Sequence, residues 1–133
     1  MIPPFEENGY LPPGIHRATL DEIEARFGRE PEIRRVQMES LRWLVDLAKR
    51  AGAERLVING SFTTDANEPN DIDCVLLIPD GIEFDPRVDE EFEKGLPFLQ
   101  IELATADDFS FMSGRFFASD RIFVPKGVVE VIL

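Results

Sequence analysis

The segment LVINGSFTTDANEPNDIDCVLLIP, residues 56–79, decides the fold of this chain. Its first residues are apolar, Gly60-Ser61 interrupts them, and Asp71-Ile72-Asp73 opens a second apolar run. This pattern predicts a strand, a tight turn, a polar loop and a second strand. Because the side chains that follow Asp73 are apolar without alternation, we expect both faces of the second strand to be covered.

The Gly-Ser turn and the two aspartates contain the kinds of residue that bind phosphate and metal ions. Glycine at position 60 permits a ligand to approach main-chain amides, the Ser61 hydroxyl adds a donor, and a helix after Ser61 would add its free amides. Asp71 and Asp73 are two residues apart in a strand and therefore face the same side. Two neighbouring carboxylates repel each other unless a divalent cation lies between them, and their oxygens suit Mg²⁺ or Mn²⁺. We call Asp71 and Asp73 the carboxylate pair.

The frame of hydrophobic strand, Gly-Ser, polar loop, Asp-hydrophobic-Asp and hydrophobic strand resembles the polymerase-beta-type nucleotidyltransferase superfamily, above all its small bacterial members, the minimal nucleotidyltransferases. A looser match covers residues 30–133. The phrases LPPGIHRAT and PKG also look like a group of short bacterial proteins of unknown role that carry this core. The resemblance implies transfer of a nucleoside monophosphate from a nucleoside triphosphate (NTP) to a hydroxyl of a protein, an RNA or a small molecule. It implies two ions of Mg²⁺ or Mn²⁺ on the carboxylate pair, with Gly60 and Ser61 holding the phosphates.

The resemblance further implies a third carboxylate on a neighbouring strand, which binds one metal ion and helps to deprotonate the attacking hydroxyl. Glu102, in the setting Ile-Glu-Leu, is our candidate for this role. Glu130 is the rival candidate, and Asp107 is a third alternative. The family more often places aspartate at this position.

The segment that follows the Gly-Ser turn departs from the family pattern. Minimal nucleotidyltransferases usually carry a basic residue shortly after the turn, whereas residues 62–68, FTTDANE, contain none. A contact to the triphosphate would then come from Thr63 or Thr64, or from a distant base such as Lys126 or Arg121. The departure favours an alternative hypothesis, a non-catalytic interaction protein on the same fold, such as the antitoxin-like partner of a toxin–antitoxin pair. A nucleotide-binding sensor without transfer is a third hypothesis.

Around this core the sequence predicts one α/β (α+β) domain, with a small mixed β-sheet and helices packed mainly on one face. A capping box at Thr19 and Glu22 predicts a helix that ends at Gly28. A second helix is predicted between Pro31 and Ala51, and a short third helix over residues 86–94. Strands are predicted over residues 55–59, 71–78, 98–104 and 128–133, and a short helix and an irregular stretch over 105–126.

Two further predictions concern packing. The second helix is expected to bury a stripe that includes Ile33 and Val36, with Arg34 outside it. The proline-rich residues 1–18 are expected to form an extended N-terminal arm without regular structure, packing on the body of a single domain, residues 19–133, through Leu11 and Ile15. The chain lacks the additional helical domain that larger relatives use for their acceptor, so a protein partner or a homodimer is expected.

Composition narrows the remaining possibilities. The 133 residues favour a single domain, and no apolar run is long enough to span a bilayer. The start of the chain, MIPPFEENGY, lacks a basic region followed by an apolar one, so no secretory signal is expected. The net charge of −12 argues against general nucleic-acid binding and suits a basic protein partner. The single cysteine, Cys74, fits a reducing cytoplasm.

Overall fold

The computed structural model describes residues 2–106 and 126–133, which form a five-stranded mixed sheet and three α-helices. The strands are β1 (Ile15–Ala18), β2 (Arg55–Asn59), β3 (Ile72–Leu77), β4 (Leu99–Ala104) and β5 (Val128–Val131). The helices are α1 (Leu20–Phe27), α2 (Glu32–Arg50) and α3 (Pro86–Lys94), and Ser61–Thr63 forms one 3₁₀ turn. The strand order is β1-β5-β2-β3-β4, in which β1 and β5 are parallel, as are β3 and β4, and the other two pairs are antiparallel.

Side-chain alternation gives the sheet two faces with different surroundings. On the first face, residues such as Ile58, Cys74 and Leu76 form the main core with α1 and α2. The second face carries a smaller buried cluster: Val57, Val75, Leu77, Ala104 and Val128. Helix α3 packs on α2 through Val88, on the side of the main core. The predicted mixed sheet, with these helices on one face, is confirmed.

Helix α1 begins with the predicted capping box. The Thr19 hydroxyl oxygen accepts a hydrogen bond from the Glu22 amide at 3.2 Å, and the Glu22 carboxylate accepts one from the Thr19 amide at 3.2 Å. The hydrogen bond from the Thr19 backbone also holds the pKa of Glu22 below its usual range. The contribution of Glu22 to stability is therefore present above the usual pKa of a glutamate and is lost as the pH falls through the lowered value.

We expect Thr19→Ala to lower the free energy of unfolding by about 1 kcal/mol, because the Glu22 amide loses its acceptor at the helix start. Thr19→Ser keeps that acceptor and is the matched control, with an expected change of a few tenths of a kcal/mol at most. Urea denaturation followed by circular dichroism measures both values. Equal losses for the two variants would contradict the role of the cap.

The apolar stripe predicted for helix α2 is wrong in the first half of the helix. Val36 is 42% exposed, whereas Arg34, Gln37 and Ser40 are buried. The side chains of these three polar residues donate hydrogen bonds to main-chain carbonyls of loops that lie beside the helix. The predicted apolar stripe is confirmed only from Leu41 onward, because the first half of α2 faces polar loop backbone rather than strands.

The N-terminal arm also differs from its prediction. Leu11 is fully buried as expected, but Ile15 is 43% exposed. Residues 15–18 are not irregular, because they form β1 and pair with β5. The expected helix and irregular stretch over residues 105–126 fall largely outside the described residues. Of the helices described, none has the length and apolar character needed to cross a membrane.

Candidate functional site

Several chain segments that sequence analysis singled out meet at one end of the sheet. Strand β2 ends there with Asn59, and β3 and β4 begin there. The register places Asp73 opposite both Asn59 and Gln100, so these three residues form a row across the second face. Asp71 lies two residues before Asp73 and belongs to the same face. The end of the sheet therefore gathers the carboxylate pair, two amide side chains and the Gly-Ser turn.

Gly60 brings the turn into direct contact with the carboxylate pair. Its backbone has φ 92° and ψ −171°, a combination that is essentially confined to glycine. A Cβ atom at this position would lie 3.1 Å from the Asp71 carbonyl oxygen and 3.2 Å from both the amide nitrogen and a carboxylate oxygen of Asp73. The predicted link between the turn and the pair is thus a close packing contact, at a backbone conformation that residues with a side chain rarely adopt.

Gln100 is a site residue that the sequence did not indicate. Its side-chain Nε2 donates a hydrogen bond to Oδ2 of Asp71 at 2.8 Å. This bond orients one carboxylate of the pair and satisfies one of its lone pairs. Gln100 could have been found only with the register of β3 on β4, because it lies on the same face as Glu102, two residues away.

The hydroxyl groups of the turn hold the loop that follows it, residues 61–70, which we call the 61–70 loop. Ser61 Oγ accepts a hydrogen bond from the Asn70 amide at 2.8 Å, which closes the loop at its base. Thr63 is buried and donates to the Gly60 carbonyl at 3.3 Å, and Thr64 donates to the Ser61 carbonyl at 2.7 Å. The 3₁₀ turn spans only Ser61–Thr63, so the long helix that would strengthen an anion site after Ser61 is not formed.

Arg34 of α2 fixes the same loop from behind. Its guanidinium donates to the carbonyl oxygens of Phe27, Phe62, Thr64 and Ala66, at distances of 2.6 to 3.2 Å. It also lies over the Phe62 ring, 5.6 Å from the centroid. Burial lowers the pKa of Arg34, and the charge of Asp65 opposes that shift. One helix turn farther on, Gln37 donates to the Pro69 carbonyl at 2.6 Å.

The three candidates for the third carboxylate have different positions. Glu102 pairs with Val75, so it is on the second face but one step farther from the sheet end than Gln100, and it is exposed. Glu130 is buried and forms ion pairs with Arg55 and, at 3.8 Å, with Arg17. Asp107 lies outside the described residues. Within residues 2–106 and 126–133, no group of three or more His, Cys, Asp or Glu side chains is placed to hold a metal ion.

The ion pairs of Glu130 give it a structural role. The hydrogen bond from Arg55 to Glu130 raises the pKa of Arg55, and the negative charge of Glu130 adds to that shift. Because its charge is already balanced within the sheet, Glu130 is the weaker of the two described candidates. Glu102 stays the candidate on the strand next to the pair.

Lys126 lies at the same end of the sheet as the pair. Strand β5 runs antiparallel to β2, with Val129 opposite Ile58, so the residues that precede β5 lie beside the end of β2. Gly127 donates its amide to the Leu11 carbonyl at 2.9 Å, which joins the LPPGIHRAT and PKG phrases. The Lys126 ammonium is 5.7 Å from the centroid of the Tyr10 ring. Arg121, the other distant base, is outside the described residues.

Cys74 is buried in the main core, beside the pair in sequence but on the opposite face. Burial, together with the charges of Asp73 and Asp71, raises the pKa of its thiol far above the usual value. A neutral thiol without access to solvent is a packing residue.

Comparisons with known proteins place the chain but do not describe its activity. The model of one family, described as "Family of unknown function (DUF6932)", matches residues 3–132. No curated protein and no solved structure shows significant similarity to the chain.

Proposed function

This chain belongs to the DUF6932 family, whose function is unknown, and we propose that it is a metal-dependent nucleotidyltransferase that moves a nucleoside monophosphate from an NTP to a hydroxyl acceptor. The observation that carries the proposal is the contact of the Gly60 turn with the carboxylate pair. The turn lies so close to the strand that carries the two carboxylates that a Cβ atom at Gly60 would be 3.1 Å from the Asp71 carbonyl oxygen and 3.2 Å from a carboxylate oxygen of Asp73. A triphosphate and the cations that accompany it require these two features at one place.

The residues fit Mg²⁺ or Mn²⁺ in their chemistry. Asp71 and Asp73 would hold the ions, with oxygen ligands of the kind that both metals prefer. Gln100 orients Asp71 through the 2.8 Å hydrogen bond. A metal ion held there would supply positive charge to the triphosphate and to the oxygens of an in-line displacement.

The other residues would bind phosphate and activate the acceptor. Gly60 and Ser61 would face the phosphates, and Lys126 lies at the same end of the sheet. Thr63 holds the turn through its hydrogen bond to Gly60 rather than facing a ligand. Glu102 would be the third ligand or the base, after a side-chain movement toward the pair. In this proposal the fold is a nucleotidyltransferase-like sheet, the location is the cytoplasm, and the acceptor comes from a partner chain or a second copy.

The proposal is tested by incubating the protein with each α-labelled NTP, Mg²⁺ or Mn²⁺, and cell lysate. The wild type is expected to transfer label to an acceptor, and Asp73→Asn, which keeps the shape of the side chain, is expected to abolish the transfer. Asp80→Asn is the matched control, because Asp80 is an exposed acid at the opposite end of β3. Transfer that persists in Asp73→Asn would contradict the proposed role of the pair.

A second function is favoured by the composition of the 61–70 loop. Residues 62–70 contain no lysine or arginine, and they include Asp65 and Glu68. Such a loop suits a non-catalytic interaction protein, such as the antitoxin-like partner of a toxin. Capture of a defined partner by wild type and Asp73→Asn alike, with no transfer by either, would favour this second function. Metal-dependent binding of NTP without transfer would favour a sensor.

A further inference from the structure

Arg34 is a buried charge that forms no ion pair within residues 2–106 and 126–133. It is only 5% exposed, and all of its hydrogen bonds go to main-chain carbonyls. Within the described part of the chain, no carboxylate forms an ion pair with it. Buried charges in proteins are normally paired with an opposite charge, since their desolvation is costly. An arginine that is buried directly behind a loop, and whose hydrogen bonds go to carbonyl groups rather than to a carboxylate, therefore calls for an explanation beyond packing.

The hydrogen bonds of Arg34 also orient the peptides of the 61–70 loop. In a trans peptide the N–H points away from the C=O. The carbonyls of Phe62, Thr64 and Ala66 point at the guanidinium, so the amides of the following residues point to the other side. Among them, Asn67 is exposed, and its amide has no partner in the described structure. The Thr63 and Asp65 amides donate to the Gly60 and Gly9 carbonyls, so the peptide between Ala66 and Asn67 is the one whose dipole extends the positive potential of Arg34 to the outer surface of the loop.

We propose that Arg34 is the cation of the phosphate site, and that it attracts a polyphosphate electrostatically through the 61–70 loop instead of by direct contact. Arg34 is thus a positioning residue, which takes the place of the basic residue that the loop sequence lacks. The inference rests on the proposed function, because it assigns the phosphate-binding side of that site. The ligand class is a polyphosphate that carries a divalent cation, such as the triphosphate of an NTP.

Asp65, together with Glu68 of the same loop, opposes this effect. The Asp65 carboxylate is close enough to raise the pKa of Arg34, although burial has the larger and opposite influence. The Asp65 amide donates to the Gly9 carbonyl at 3.0 Å, which fastens the loop to the N-terminal arm. Replacing Asp65 by asparagine therefore removes a negative charge and keeps the backbone bond.

The test measures the affinity for magnesium tripolyphosphate by calorimetry, at low and at physiological salt, with excess Mg²⁺ in every sample. Arg34→Gln removes the charge and is expected to weaken binding about tenfold, as for one unit charge acting across a loop near the protein surface. Arg34→Lys keeps the charge and is expected to retain most of the affinity. Asp65→Asn is expected to tighten binding severalfold, with the gain shrinking as salt increases.

Gln37→Met is the matched control for loss of loop support. Gln37 is also buried on α2 and also holds the 61–70 loop, but it is neutral. We expect Gln37→Met to change the affinity for magnesium tripolyphosphate much less than Arg34→Gln does. Equal weakening by Gln37→Met and Arg34→Gln, or by Arg34→Lys and Arg34→Gln, would overturn the inference and leave Arg34 with a structural role. So would a failure of the wild type to bind the probe.

The outcomes separate this inference from the proposed function. If Arg34→Gln does not fold, Asp65→Asn decides, because it keeps the backbone hydrogen bond to Gly9 and the contacts of Arg34, and an unchanged affinity would overturn the inference. Charge-dependent binding of the probe without nucleotidyl transfer would support the role of Arg34 and contradict the enzyme. Nucleotidyl transfer that depends on Asp73, combined with probe binding that is the same in Arg34→Gln and wild type, would support the enzyme and contradict the role of Arg34.

Discussion

Replacement of Arg34 by alanine is expected to lower the free energy of unfolding by about 2 to 4 kcal/mol, because several buried carbonyl groups lose their hydrogen-bond donor together. The guanidinium joins the last turn of α1, at Phe27, to the 61–70 loop, at Phe62, Thr64 and Ala66. Without it, these carbonyls lose their donors in a place with little access to water. Denaturation in urea, followed by circular dichroism, measures the loss.

Arg35→Ala is the matched control for that variant. Arg35 is the next residue of the same helix, carries the same side chain and is exposed. Its replacement is expected to change the free energy of unfolding by no more than about 0.5 kcal/mol. A loss below about 1 kcal/mol for Arg34→Ala would show that the loop does not depend on the guanidinium.

Local patterns in the sequence were sufficient for most of the elements. The capping box of α1 and the apolar runs of β2 and β3 depend on neighbouring residues, and the structure confirms them. The first half of α2 could not be predicted in this way. Arg34 and Gln37 are buried only because loop carbonyls some thirty residues later accept their hydrogen bonds. A periodicity of apolar residues contains no information about such partners.

Strand β1 was missed for a related reason. Its residues, Ile-His-Arg-Ala, show no apolar alternation, and the strand exists because it pairs with β5 at the other end of the chain. Parallel pairing between distant segments leaves little trace in a short sequence window.

The candidate site was predictable where it depends on short spacing and not where it depends on register. The spacing of Asp71 and Asp73, and the glycine before them, indicated the pair and the turn. To decide whether Gln100 or Glu102 lies beside the carboxylate pair, one must know the register of β3 and β4. A shift of two residues exchanges one for the other without changing the face that they occupy. Glu102 as third ligand stays a prediction, to be tested against Gln100 by substitution at each position.

Gly60→Ala is expected to lower the free energy of unfolding by about 2 to 4 kcal/mol, because it combines backbone strain with a steric conflict. The backbone of Gly60 has φ 92° and ψ −171°, where a side chain is strongly disfavoured. The added Cβ would also press on the Asp71 carbonyl at 3.1 Å and on Asp73 at 3.2 Å. Because these atoms belong to the carboxylate pair, the same variant should weaken Mn²⁺ binding, which electron paramagnetic resonance measures directly.

Gly95→Ala separates the two causes. Gly95 has φ 59° and ψ −169°, a backbone conformation similar to that of Gly60, but an added Cβ would meet no atom within 4 Å. Its replacement should therefore cost only the strain, about 1 to 2 kcal/mol, and leave Mn²⁺ binding unchanged. The excess loss in Gly60→Ala then measures how tightly the turn packs on the pair. If the two variants lose the same stability and bind Mn²⁺ equally well, the turn and the pair are not coupled, and the contact that carries the proposed function has no energetic consequence.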